Sequence, residues 1–101
     1  MNRWHKPVAL SRFNTEMVPD VPGVYVLLRD ERDISSVLKI GPARSLRRAF
    51  ARELEPAGER QPAIPTAMMF RESRADAEEA QRLINEYRRK HGRVPVLNSP
   101  F

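Results

Sequence analysis

Pro22-Gly23-Val24-Tyr25-Val26-Leu27-Leu28, the charged interval Arg29-Asp30-Glu31-Arg32-Asp33, and Ile34 to Ile40 closed by Gly41-Pro42 set the architecture of this chain. Pro22-Gly23 signals a turn, and the five apolar residues after it are β-formers in a run short enough for one strand. The charged interval reads as an exposed turn, and Ile34 to Ile40 as a second strand that Gly41-Pro42 ends. Together they predict an antiparallel hairpin. Side chains alternate across a strand. Val24, Val26 and Leu28 therefore share one face, and Tyr25 and Leu27 the other. On the partner strand Leu38 and Ile40 share a face, opposite Val37 and Lys39. If the more apolar faces align, Tyr25 and Lys39 emerge side by side on the second face.

Ala43 to Leu54 follows with helical periodicity. Leu46, Ala49, Phe50 and Leu54 make an apolar stripe. Arg44, Arg48 and Arg52 make a basic stripe at four-residue spacing, with Arg47 nearby. Like charges at that spacing repel by a few tenths of a kcal/mol, a tension that a polyanion relieves. Glu55 to Pro65, rich in proline and polar residues, predicts a loop. Thr66-Ala67-Met68-Met69-Phe70 predicts a third strand. Ser73 and Asp76 have capping-box spacing and open a helix running to about Lys90. Its buried face is marked by Ala80, Leu83, Ile84 and Tyr87, and Gly92 stops it. Val94 to Asn98 returns as an extended tail. The expected fold is a small α+β domain over residues 21–101, with a three-stranded, mainly antiparallel sheet flanked by helices. Residues 1–20 form an N-terminal extension packed on the domain edge, extended, with at most a short turn of helix.

The chain has 101 residues, enough for one domain. It has no cysteine, which excludes disulfides, thiolate zinc sites and cysteine nucleophiles and fits a reducing compartment. No apolar run approaches the roughly 20 residues needed to span a bilayer, and Met1 to Leu10 lacks the apolar core of a signal peptide. The expectation is a soluble cytoplasmic protein with no membrane partner. Net charge is +5, and arginine outnumbers lysine. That balance favours a polyanionic partner such as nucleic acid, and arginine's planar fork suits phosphate. His5 and His91 are too far apart in sequence, and too short of carboxylate company, to predict a metal site. Trp4 reads as a core plug, and Met68, Met69 and Phe70 as strand residues partly in the core.

Gly23-Val24-Tyr25, Leu38-Lys39-Ile40-Gly41, the arginine-bearing helix with Leu46, the later helix with Leu83-Ile84, and the closing Pro95-Val96-Leu97-Asn98 appear in an order that resembles the GIY-YIG nuclease superfamily. The resemblance covers about Val21 to Asn98. It implies a site in which a tyrosine assists proton abstraction, an arginine on the first helix stabilises phosphate charge, and a glutamate on the later helix holds one divalent cation, Mg2+ or Mn2+. Carried over residue by residue, the first tyrosine matches Tyr25 and the terminal asparagine matches Asn98. Lys39 stands where the second triplet has tyrosine. Ala49 stands at the arginine position, eight residues after Gly41, and Ala80 at the glutamate position, three before Leu83-Ile84. A methyl group binds neither metal nor phosphate, and neighbours one residue away point about 100° elsewhere.

These residues lead to a degenerate GIY-YIG-like domain that binds nucleic acid through phosphates, with weak sequence specificity, and that has lost cleavage. The nucleic-acid contacts expected are Arg44, Arg47, Arg48, Arg52 and Asn98; Tyr25, Lys39 and Arg48 are the residues of a catalytic site; no cofactor is expected. One alternative is a metal-dependent endonuclease using displaced groups, with Arg48 beside Tyr25 and Lys39 and with Glu79 as metal ligand. Another is a protein-interaction module docking near Tyr25, Ala49 and Ala80.

Overall fold

The computed structural model describes residues 3–55 and 63–98. It runs β1 (Val8–Ala9), a 3-10 helix (Arg12–Met17), β2 (Gly23–Leu28), β3 (Val37–Ala43), α1 (Leu46–Glu53), β4 (Ala67–Glu72) and α2 (Asp76–His91). The four strands form one antiparallel sheet in the order β1-β4-β2-β3. All six residues of β2 are buried, as its place inside the sheet requires. The fold is α+β, with a sheet one strand wider than the sequence suggests. The added strand comes from the N-terminal extension, which lies along β4. His5 donates to the Phe70 carbonyl, Leu10 to that of Thr66, and Val8 faces Met68. Two residues carry no readable alternation, so the sequence gives no signal of this edge.

The second hairpin strand is displaced from Ile34–Ile40 to Val37–Ala43. Side chains in the connecting segment hold it as a loop instead. Asp30 Oδ1 accepts from the Arg32 amide, and Asp33 Oδ1 from the Ser35 amide and hydroxyl. Ile34 is left 64% exposed. At the other end β3 continues through Gly41-Pro42. Pro42 cannot donate to a ladder, but β3 is the outermost of the four strands, where proline is tolerated. Helix α1 consequently starts at Leu46 instead of Ala43.

The two faces of the sheet bury separate clusters. Tyr25, Leu27, Met68 and Phe70 pack with Leu46, Ala49 and Phe50 of α1. Val24, Val26, Leu28 and Ile40 pack with Ala80 of α2, joined by Leu83, Ile84, Tyr87 and Trp4. The period-4 stripes are thus the buried sides of both helices, and the structure sets the two helices on opposite faces of the sheet. Full burial of side chains such as Phe50, Leu46 and Leu27 contributes about 1.5–3 kcal/mol each. Gly23 permits the close fit of α1 on the sheet. A Cβ there would lie 2.8 Å from Leu46 Cδ1 and 2.3 Å from the Arg71 carbonyl oxygen.

The capping box does not form. Ala75 is the N-cap of α2 and makes no side-chain cap. Ser73 Oγ accepts from the Ala75 amide, while the Ser73 amide donates to Pro22 O. The Ser73 hydroxyl is used on the Ala75 amide, before the helix starts at Asp76. Gly92 ends α2 as expected, at φ 78°. The tail returns along the outer edge of β3, with Leu97 donating to the Leu38 carbonyl at 2.8 Å. Of the loop expected at Glu55 to Pro65, positions 56–62 lie outside the described residues, as do the last three residues of the domain. Among the described residues no helix is long and apolar enough to cross a membrane.

Candidate nucleic-acid interface

Ser45 joins β3 to α1 and organises the surface around it. Its Oγ accepts from the Arg48 amide at 3.2 Å and donates to Asp20 Oδ1 at 2.5 Å. The Leu46 and Arg47 amides donate to the carbonyls of Val21 and Pro19. The amides of the first turn are therefore engaged within the protein. An anion at this end of α1 meets side chains and the helix dipole, not free backbone donors.

Those side chains are arginines. Arg44, Arg48 and Arg52 line one open cleft of about 490 Å³, together with Asp20, Pro42, Ala43 and Ser45. Arg44 Nη1 lies 3.8 Å from Asp76 Oδ1, with the arginine 89% exposed and the aspartate 8%. A pair this open is worth at most about 1 kcal/mol, so the guanidinium stays available to a ligand. Arg48 and Arg52 are exposed and pair with no carboxylate among the described residues. Arg47, grouped with them from sequence, is turned away. Its Nε donates to the Val18 carbonyl at 2.9 Å, tying α1 to the end of the 3-10 helix. One residue is about 100° around a helix, which suffices to separate it from the stripe.

Tyr25 lies opposite Gly41 in the β2–β3 register, and Leu27 opposite Lys39. The Tyr25 ring crosses over Gly41. A Cβ at position 41 would lie 2.7 Å from the phenol oxygen and 2.8 Å from Cζ. Lys39 Nζ stands 6.0 Å from the ring centroid, so the two side chains share the face that alternation assigned them. Lys39, Gly41 and Ala43 project to that same side of β3, at steps of about 6.6 Å. Ala43 also lines the arginine cleft. Along one side of the edge strand, Lys39, the Tyr25 phenol and the three arginines thus follow one another.

The positions that matter most to the resemblance do not converge. Ala49 is 4% exposed and packed in the cluster that holds Tyr25; Ala80 is 1% exposed and packed on the opposite face of the sheet. A docking surface around Tyr25, Ala49 and Ala80 is therefore ruled out, because all three are core residues divided between two faces. Glu79 belongs to the α2 side as well. Its Oε1 pairs with Arg71 Nη2 on β4, and with Arg82 Nη2 at 3.5 Å. Arg71 also covers the Trp4 ring at 4.7 Å. Arg48 opens to the cleft on the α1 side, so Arg48 and Glu79 do not reach Tyr25 together. Asn98 serves the fold. Its Oδ1 accepts from the Ile40 amide and its Nδ2 donates to the Ile40 carbonyl, both at 2.8 Å. Its amide thereby stands in for a strand residue on the β3 edge.

Asp20 and Ser45 belong to the cleft and were missed in the sequence. The signal for Ser45 was present: a serine directly before an apolar-periodic run is an N-cap pattern. Asp20 had none, since its partner is 25 residues away. A scan against protein-family models found no matching family, and searches of curated proteins and of solved structures found no match.

Proposed function

We propose that this chain is a GIY-YIG-like domain that binds nucleic acid through phosphates and does not cleave it. The observation that carries the proposal is the convergence of Arg44, Arg48 and Arg52 on one open cleft, at a helix end whose backbone donors are already engaged. Such a surface recognises charge spaced along a backbone. Arg48 and Arg52 are four residues apart, a rise of about 6 Å. It presents no fixed donor–acceptor set for reading base edges, so binding is weakly specific in sequence. The net charge of +5 favours approach to the same partner. Lys39 adds a further cation along β3.

The loss of cleavage is supported by the residues present. The metal that the resemblance implies requires a carboxylate near Tyr25. Ala80 has none, and Glu79 is committed to Arg71 and Arg82 on the other side of the sheet. Among the described residues no three His, Cys, Asp or Glu side chains gather as a ligand set. The residues do not fit the cation. In this domain Tyr25 fills the core under α1.

Fluorescence anisotropy with labelled duplex, branched and single-stranded oligonucleotides at low salt tests the proposal. Micromolar or tighter binding, weakening steeply as salt rises, is expected. Failure to bind any of them would overturn it. Incubating the same substrates with Mg2+ or Mn2+ should leave them intact. Cleavage that disappears in Tyr25→Phe would restore the endonuclease alternative.

A further inference from the structure

The end of α2 carries Arg88, Arg89, Lys90 and His91, with Arg93 just beyond Gly92. All five are exposed. Cations in a last helical turn complement the helix dipole, which accounts for one or two of them at about 0.3–1 kcal/mol each. It does not account for five. Arg88 donates to Asn85 Oδ1, and His91 packs on the Tyr87 ring at 4.2 Å. No carboxylate pairs with Arg88, Arg89, Lys90 or Arg93 among the described residues. The cluster is thus a patch of net positive charge, with Glu86 as the one acidic residue in the preceding turn, separate from the arginine cleft.

Its distance from that cleft is fixed by the fold. The first residue of α2, Asp76, lies 3.8 Å from Arg44 of the cleft. From Asp76 to Lys90 the helix rises about 21 Å. The two patches are linked by β3 and α2. Pro42 and Ala43 line the cleft, and α2 packs across β3 and β2. We propose that the α2 end is a second phosphate-contacting site, so that the preferred ligand is a nucleic acid long enough to bridge the two. With charges every 3.4 Å along each strand of a duplex, 21 Å corresponds to about six base pairs. This rests on the nucleic-acid role proposed for the cleft and adds a minimum length to it.

Three proteins and two probes test it. The proteins are the wild type, Arg89→Gln/Lys90→Gln/Arg93→Gln, and Arg44→Gln/Arg48→Gln/Arg52→Gln, each checked for folding by circular dichroism. The probes are a 20-base-pair duplex and a trinucleotide, whose two phosphodiesters cannot bridge the patches. On the duplex, the α2 variant should lose about 2.7 from the slope of log K against log salt, at about 0.9 per phosphate contact, and bind at least about tenfold more weakly. On the trinucleotide it should match the wild type. An α2 variant that retains wild-type affinity and slope on the duplex, while the cleft variant loses both, would overturn the second site and leave the cleft standing. Wild-type protein that binds neither probe, or binds only anionic vesicles, would overturn both.

Discussion

Gly41 faces Tyr25 across the β2–β3 pair, and replacing it with alanine gives a quantitative test of the packing that holds the phenol in place. The added Cβ would meet Tyr25 Oη at 2.7 Å, Cζ at 2.8 Å and Cε1 at 3.0 Å, where ordinary contact begins at 3.4 Å. The ring must retreat by roughly half an ångström into a cluster that leaves Tyr25 only 5% exposed. Overpacking of this kind costs about 1–3 kcal/mol. Alanine recovers about 0.5–1 kcal/mol through the smaller entropy of the unfolded chain. The net loss expected for Gly41→Ala is about 0–2.5 kcal/mol, a fall in Tm of up to about 20 °C for a domain of this size. Thermal and urea denaturation of Gly41→Ala, Tyr25→Leu and the double variant would measure it. In the Tyr25→Leu background the added methyl should be neutral or stabilising, giving a coupling energy of about 1–3 kcal/mol. A raised Tm for Gly41→Ala alone, or the same change in both backgrounds, would refute the close approach of ring and glycine.

Glu79→Ala removes the partner of a half-buried Arg71 guanidinium and should cost about 1–3 kcal/mol in urea unfolding. It should leave duplex affinity within about twofold of wild type, because Glu79 is committed to Arg71 and Arg82 and lines neither the cleft nor the α2 end. Asn98→Ala gives up two hydrogen bonds to Ile40, and a loss of about 1–2 kcal/mol is expected, with faster hydrogen exchange at the Ile40 amide. Asp33 should titrate below its ordinary value of 3.8, because the Ser35 hydroxyl and amide stabilise its charged form. Its folded pKa is the lower one, so the stabilisation is present above the unfolded pKa and lost as pH falls through the folded one. NMR titration should place the midpoint lower in wild type than in Ser35→Ala.

The parts of this structure that follow period 2 or period 4 were legible in the sequence. Val24 to Leu28, the Leu46–Ala49–Phe50 stripe and the Ala80–Leu83–Ile84–Tyr87 stripe are each buried as spacing assigns, and Lys39 shares a face with Tyr25. What was not legible depended on contacts across many residues. The β1 edge exists because two residues of the extension meet β4. Ile34 to Ser36 read as strand because β-formers are counted without the Asp30 and Asp33 side chains that hold the segment in a loop. Ser73 had the spacing of a capping box, but its amide donates to Pro22 O across the sheet and its hydroxyl accepts from the Ala75 amide. At the candidate site, the helical stripe of Arg44, Arg48 and Arg52 was readable, whereas the diversion of Arg47 to Val18 and of Asn98 to Ile40 was not. Both diversions are satisfied hydrogen bonds to backbone groups distant in sequence.

The measurement closest to the proposed role is the salt dependence of duplex binding for wild type and for Arg44→Gln/Arg48→Gln/Arg52→Gln. If the cleft grips three phosphates, the slope of log K against log salt should be shallower in the variant by about 2.7, with affinity lost evenly across unrelated duplex sequences. A variant that binds with wild-type affinity and slope would contradict a phosphate-binding role for this cleft.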